Sequence, residues 1–503
     1  MAQIKFDAKS LISRCKSKIE VGQIVEVRDL IQETLKREKI PRESLANVCE
    51  LLRRVGDSAK GVWLLHPLVR GSRKTPPDAT SAELVEYAGC LANIGARDEA
   101  RSILRNIDSH LYPQTDLFTA FTYFSEWNYE EAIPALLRYC DHPKIQNYQR
   151  LIGQINLLAA FVQTGKYELA EKLLQEFWKS CDEKKHQLLL MNSLEIGAQN
   201  YFFKGENKKA LHRLQKSEQL LSSGESLNRL FVDKWKHIVQ LSEKRKPEAL
   251  EERTALIQRA KTFNHWETLR ELDFYWGTLT RDPLMLQKVF LGTPYPLYKQ
   301  KFLQRNTSSL ETVMTTKFHW TPDENFDLPK KEIKVLSQPT FGKPESVINR
   351  TFQILCSDFY QPFNVVSLHS GVFPERHYNP FSSPTLVHQS LFRLRAELKK
   401  QLPGWKILEK QERFSIVAPM TQAMEMKESK DSNSILCDQL SQLENSFTLL
   451  EAEALLKIRR RTLQRHLARL TRLGLLNSIG ATKDRKFSLA FDTVSTYAIN
   501  NIP

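Results

Sequence analysis

The stretch Ile196–Leu214, IGAQNYFFKGENKKALHRL, sets the fold class of this 503-residue chain. Apolar and small residues return at helical spacing on both sides of Gly205. The glycine reaches a positive φ without a Cβ clash, so one helix can stop there and a second can double back. Ala198, Tyr201, Gly205, Ala210 and Leu214 thus describe two helices brought close by small side chains. The same offsets occur upstream in Phe161, Gly165, Tyr167, Ala170 and Leu174, then in Ala120, Tyr123, Tyr129, Ala132 and Leu136. Earlier still come Ala88, Gly95, Ala100 and Leu104, and a fainter copy has Gly56, Gly61 and Leu65. The alanines at 100, 132, 170 and 210 lie 32, 38 and 40 residues apart, so the unit recurs without a strict period. Residues 1–318 read as helix after helix, with no alternating strand pattern.

These offsets resemble the tetratricopeptide repeat, a helix pair with a period of about 34 residues. The resemblance covers about 81–222 and, more loosely, 1–80 and 223–318. It implies an α-solenoid that buries its core between neighbouring pairs and presents a concave surface suited to a protein partner or a second copy of the chain. In that register the first helix of each pair turns Asn156, Asn192 and Gln199 toward the groove. A generic helical bundle is the plainer reading of the same residues. Trp178, Trp235, Trp266 and Trp276 lie in helical runs and read as packing residues.

The composition changes at 319–344, where prolines and mixed charge indicate a linker, with one strand expected at Glu332–Leu336. A second linker is expected at 420–433. Between them, 345–419 predicts a helix over about 345–358 and a short helix near Val365–Val372. A longer helix should start at Ser383-Pro384, with Ser383 as cap. Its buried row would be Val387, Leu391, Leu394 and Leu398, leaving His388, Gln389, Phe392, Arg393, Arg395, Lys399 and Lys400 outside. A hairpin of Trp405–Leu408 with Arg413–Val417 closes the module. The run Val387–Leu398, VHQSLFRLRAEL, followed by that hairpin, resembles the OmpR-type winged-helix effector domain of bacterial response regulators. The resemblance implies that His388, Arg393 and Arg395 lie on or beside a helix that faces duplex DNA, and Gln389 and Lys399, left outside the buried row, are DNA-contact candidates with them. The N-terminal half lacks the βα alternation of a receiver domain, so aspartate phosphorylation is not the expected input.

The last module, 434–503, contains Ile458–Phe487, IRRRTLQRHLARLTRLGLLNSIGATKDRKF. Leu463, Leu467 and Leu470 form an apolar row, and Arg461, Arg465, Arg469 and Arg472 lie opposite. A strand, a Gly480–Lys486 turn and a second strand follow. This order is that of a winged helix-turn-helix, with a helix for the major groove and a basic hairpin for the backbone. From Lys457 to Lys486 there are ten Lys/Arg and one acid, a local charge of +9 in a chain of net +15. Gln464, Arg465 and Arg469 are the candidates for base edges, whereas Arg459, Arg460, Lys483, Arg485 and Lys486 are placed for phosphate.

The totals narrow the remaining classes. Hydrophobic residues at 41% and charged residues at 26% describe a globular chain, and 503 residues exceed what one core supports. No apolar run is long enough to span a membrane and the first residues lack a secretory core, so a cytoplasmic location is expected. Cysteines 15, 49, 90, 140, 181, 356 and 437 form no CxxC and read as reduced thiols without zinc. Gly165-Lys166 and Gly342-Lys343 lack the upstream glycine of a phosphate-binding loop, and His265-Trp266-Glu267 lacks the cysteines that would make it a deaminase site. The expectation is a mainly α chain, an α-solenoid followed by two small α+β winged modules. It would act without catalysis, metal or cofactor as a sequence-specific DNA-binding transcriptional regulator. The alternatives are a protein-binding scaffold with the winged modules as docking surfaces, or an RNA-binding protein.

Overall fold

The computed structural model describes residues 7–20, 23–71, 75–183, 185–221, 224–243, 248–306, 318–320, 334–343, 346–419, 421–426, 436–437, 439–443, 446–457, 459–472, 476–480 and 485–489. The chain is mainly helical and forms two compact units, 1–426 and 427–503.

The first unit opens with α1 (Ala8–Glu20), α2 (Ile24–Arg37), α3 (Leu45–Arg54) and α4 (Ser58–Arg70). Antiparallel pairs follow: α5 (Ser81–Ile94) with α6 (Arg97–Leu104), α7 (Gln114–Phe124) with α8 (Tyr129–Asp141), and α9 (Asn147–Gln163) with α10 (Tyr167–Ser180). Next come α11 (Gln187–Phe203) with α12 (Asn207–Gln219), α13 (Leu227–Glu243) with α14 (Ala249–Thr262), α15 (Trp266–Thr280) with α16 (Pro283–Leu291), and α17 (Pro296–Arg305).

One backbone device recurs at the turns. Asp57, Ala96, Asn128, Lys166 and Glu206 each donate their N–H to the carbonyl five residues back, at 2.8–3.0 Å. The residue before each donor has a positive φ, which closes the helix in a Schellman motif. Four of these residues are the glycines read from the sequence, Gly56, Gly95, Gly165 and Gly205. The fifth is Trp127 at φ 62°, a conformation that strains a bulky side chain, and the same bond recurs from His265 to Ala260 O and from Asp282 to Gly277 O, after Asn264 and Arg281 at positive φ. The small residues do what their spacing implies: Ala88, Ala100, Ala120, Ala132, Ala160, Ala170, Ala198 and Ala210 are all buried between helices. Their methyl side chains let the two helices of each pair approach.

The expected linkers do not separate modules in space. β1 (Phe318–Trp320) and β2 (Lys334–Leu336) come from the first linker, and β6 (Gln422–Met426) from the second. They join in one sheet, β1 antiparallel and β2 parallel to β6. This sheet packs on the middle module: Trp320 stacks on Phe359 at 4.5 Å and meets Trp405 edge-on. The unit therefore runs through the linker at 319–344 and ends at Met426, inside the linker at 420–433.

The middle module consists of α18 (Val347–Leu355), β3 (Phe363–Asn364), α19 (Val365–Val372), α20 (Ser383–Gln401), β4 (Lys406–Lys410) and β5 (Arg413–Val417), in the sheet order β3-β5-β4. Gln411 and Glu412, both at positive φ, make a two-residue hairpin turn, so β4 runs two residues further than expected, the turn is shorter, and β5 is as expected. Ser383 is not the cap of α20. It lies inside the helix, and its hydroxyl accepts from Asn379 N–H at 2.9 Å and meets His369 Nε2 at 2.9 Å. Val387, Leu391, Leu394 and Leu398 are buried as predicted.

The second unit contains β7 (Phe447–Thr448), α21 (Leu449–Leu456), α22 (Arg460–Arg472), β8 (Leu476–Ile479) and β9 (Lys486–Leu489), with sheet order β7-β9-β8. Its core joins Leu436, Leu440, Phe447, Ala452, Leu463, Leu467, Leu470, Leu476 and Phe487.

Candidate nucleic-acid interface and protein-binding groove

In the second unit α21 is followed by α22 and then by the antiparallel strands β8 and β9. Thr448 caps α21: its hydroxyl accepts from Glu451 N–H at 3.3 Å, and the Glu451 carboxylate accepts from Thr448 N–H at 2.6 Å. Those bonds hold the Glu451 carboxyl below its ordinary value. Lys457, at φ 53°, ends α21 and turns the chain into α22. Burying Leu463, Leu467 and Leu470 fixes the rotation of α22, because residues three and four apart share a face. Arg461, Gln464 and Arg465 are then exposed together, with Arg459 and Arg460 at the helix start. Arg485 and Lys486 are exposed on the hairpin, where Lys486 pairs with Ile479 inside the ladder. The side chains of Arg469 and Arg472, and all of Lys483, lie outside the described residues.

In the middle module His388, Gln389, Arg393, Arg395 and Lys399 are all exposed on α20. Two of them are already engaged. Arg395 lies 3.7 Å from the Glu409 carboxylate on β4, and the His388 ring meets Phe414 edge-on. The ends of this surface rest on the repeats. Phe381, just before α20, packs on Trp63 and His66 of α4, each at 5.8 Å between rings. At the hairpin tip the Gln411 side-chain oxygen accepts from Asn264 at 3.3 Å.

Further contacts bind this module to the repeats. Asn364 caps α19 by accepting from Ser367 N–H and donates from Nδ2 to Ile94 O, the last carbonyl of α5. The Glu99 carboxylate joins Arg70 and accepts from Tyr378 N–H. Arg270, fully buried, reaches Asp358 at 2.8 Å and Thr293 Oγ1 at 2.8 Å. Beside it Asp273 is paired with Arg253, Lys288 and the Tyr360 hydroxyl. Lys288 and Arg253 hold the Asp273 carboxyl below its usual range despite burial, the larger opposing influence.

On the inner surface of the repeats, polar side chains form a ladder along successive first helices. Gln163 on α9 donates to Gln199 on α11, Gln199 donates to Glu195, and Lys234 on α13 joins Glu271 on α15. Burial raises the Glu195 carboxyl to about 7, against the lowering effect of Lys234 and Gln199. The three residues expected in the groove are all half-buried, and two are spent internally: Asn156 bonds Ile152 O of its own helix, and Gln199 is a rung of the ladder. Lys301 of α17 reaches across to Gln163 O at 2.7 Å and Oε1 at 2.6 Å. Burial and the nearby Arg305 lower its amine to about 7. The sequence reading includes α17 in the helical run of 1–318 but not its contact with this ladder, whose signal was the pattern Tyr298, Lys301, Phe302, Arg305 on one helical face.

The residues set aside as chemically idle have structural duties. His265 accepts from Thr268 N–H and caps α15, Glu267 pairs with Arg270, and the Trp178 indole donates to Ser193. The cysteines are free thiols. Among the described residues no group of His, Cys, Asp or Glu is placed to hold a metal, and no helix is long and apolar enough to cross a membrane.

No protein-family model and no curated protein matches this sequence. Among solved structures the chain is similar to a Rap protein complexed with competence and sporulation factor (11% identity, 61% of this chain and 90% of that chain, TM-score 0.43). It is also similar to the Rap conjugation gene regulator of the plasmid pLS20 in complex with the Phr* peptide (12% identity, 61% and 95%, TM-score 0.36). A third is the apo form of RapI (10% identity, 78% and 99%, TM-score 0.38). At this level of likeness no function passes from them to this chain, whose helical-repeat architecture rests on its own helix pairs and turns.

Proposed function

We propose that this chain is a non-enzymatic regulator that binds a protein partner through its helical repeats and duplex DNA through its C-terminal winged helix. The observation that carries the DNA reading is the exposed face of α22, where Arg461, Gln464 and Arg465 stand clear of a core built from Leu463, Leu467 and Leu470. A cationic helix beside a basic hairpin neutralises phosphates, and polar side chains at its centre read base edges. The test is fluorescence anisotropy of the full chain on duplex DNA across a salt series. Neutralising about five phosphates gives a log–log slope of about −4 to −5. A flat response, or tighter binding to single-stranded RNA, refutes the reading.

A second reading applies to the middle module, as a docking element rather than a DNA reader. It is favoured by the contacts of Phe381 and Gln411 with the repeats, at the two ends of the surface DNA would use. If it holds, replacing Arg393 and Lys399 by alanine leaves DNA affinity unchanged, while replacing Arg461 and Arg465 removes it.

A further inference from the structure

The short helix α17 packs against α15 and α16 with Tyr298 and Phe302 in the core they share, and reaches α9 through Lys301. Its side chains at i, i+3, i+4 and i+7 point into the ladder, the spacing by which an amphipathic helix reads a groove. Tyr298 packs on Trp127 at 4.6 Å and on Phe274 at 5.9 Å. Lys301 bonds Gln163. Phe302 is 1% exposed and packs on Phe274 and Phe290. Arg305 covers the Phe203 ring at 4.5 Å and donates to the Tyr275 hydroxyl at 3.3 Å. Between helix and groove a cavity of ≈ 20 Å³ is left.

A second observation bears on the seat itself. At the turn position where four other pairs have glycine and the α15–α16 pair has Arg281, this pair has Trp127, strained at φ 62°, and its ring is the wall against Tyr298. Glycine there would relieve the backbone and lose the wall. Residues held in sparsely populated backbone regions cluster at ligand clamps, and this one clamps α17.

We propose that this seat is the protein-binding site of the repeats. Its ligand is a partner's amphipathic helix with an aromatic residue, lysine, an aromatic residue and arginine at i, i+3, i+4 and i+7, and α17 is the built-in competitor that such a helix displaces. The proposal deepens the protein-binding half of the proposed function and rests on it.

The experiment uses the full chain and, as probe, a fluorescent peptide of residues 294–306. In Lys301→Ala/Phe302→Ala the seat remains while its tethered occupant is disarmed. The peptide binds this variant at least tenfold more tightly than wild type, and adding Trp127→Gly abolishes the gain. A second readout avoids variants altogether: saturating peptide accelerates amide exchange of residues 297–305 in the wild-type protein about tenfold. The inference is overturned if the folded variant binds no better than wild type, or if α17 exchange is indifferent to peptide. A partner that binds the repeats regardless of Trp127→Gly overturns it too, while leaving the scaffold reading standing.

Discussion

Asp358→Asn tests whether the repeats and the middle module form one folding unit. Arg270 is 0% exposed, and its guanidinium is held by Asp358 at 2.8 Å, Thr293 Oγ1 at 2.8 Å, Gly292 O at 3.3 Å and Glu267 at 3.1 Å. Removing the Asp358 charge leaves a buried cation with one carboxylate, Glu267, which is itself 35% exposed. Breaking one side of a buried pair costs about 3–5 kcal/mol. Asparagine keeps an Oδ1 acceptor for the N–H groups of Tyr360 and Gln361, so the turn survives and the loss sits near the lower end, about 3 kcal/mol. Asp358→Ala also gives up those two bonds and should lose about 2 kcal/mol more. In Arg270→Met/Asp358→Asn both charges go together, so the double variant should lose at least about 2 kcal/mol less than the sum of the single changes. The assay is urea denaturation followed by tryptophan fluorescence, since Trp320 stacks on Phe359 beside the pair. A loss below about 1 kcal/mol for Asp358→Asn, or strict additivity in the double variant, refutes the reasoning.

Ala210→Leu should destabilise the first unit by about 1–3 kcal/mol, because Ala210 is fully buried where α11 and α12 meet, and leave the second unit's melting unchanged; calorimetry of the full chain checks both. Glu195 makes stability depend on pH. Its carboxyl titrates at 4.5 when unfolded and about 7 when folded, so the folded protein holds the extra proton and stability falls as pH rises from 4.5 to 7, by up to about 3 kcal/mol. Lys301, lowered from 10.5 to about 7, acts oppositely above pH 7, where its stabilising contribution grows toward pH 10.5; Glu195→Gln should flatten the lower limb alone in denaturation at stepped pH. Arg465→Ala should weaken the preferred duplex by about 1–3 kcal/mol more than random duplex, whereas Lys483→Ala should weaken both alike, as competition binding assays would reveal.

The sequence alone determined the elements. Helix spacing, the turn glycines and the alanine offsets specify paired helices, because left-handed turn residues and close helix contacts each admit few side chains. Leu463, Leu467 and Leu470 likewise fix which arginines of α22 face outward, since a helix's rotation follows from its buried row. Tertiary structure decided what neighbours each element has. The prolines of 319–344 imply a break, yet β1 and β2 pair with β6, 104–108 and 88 residues further on, and a partner so distant leaves no local trace. Gln199 reads as a groove residue by register, but Gln163 and Glu195 consume it. Trp127 takes a glycine's conformation, and its ring meets Tyr298, far along the chain. Periodicity reports which face is buried; it does not report what covers it, and here α17 covers the groove with the chain's own side chains.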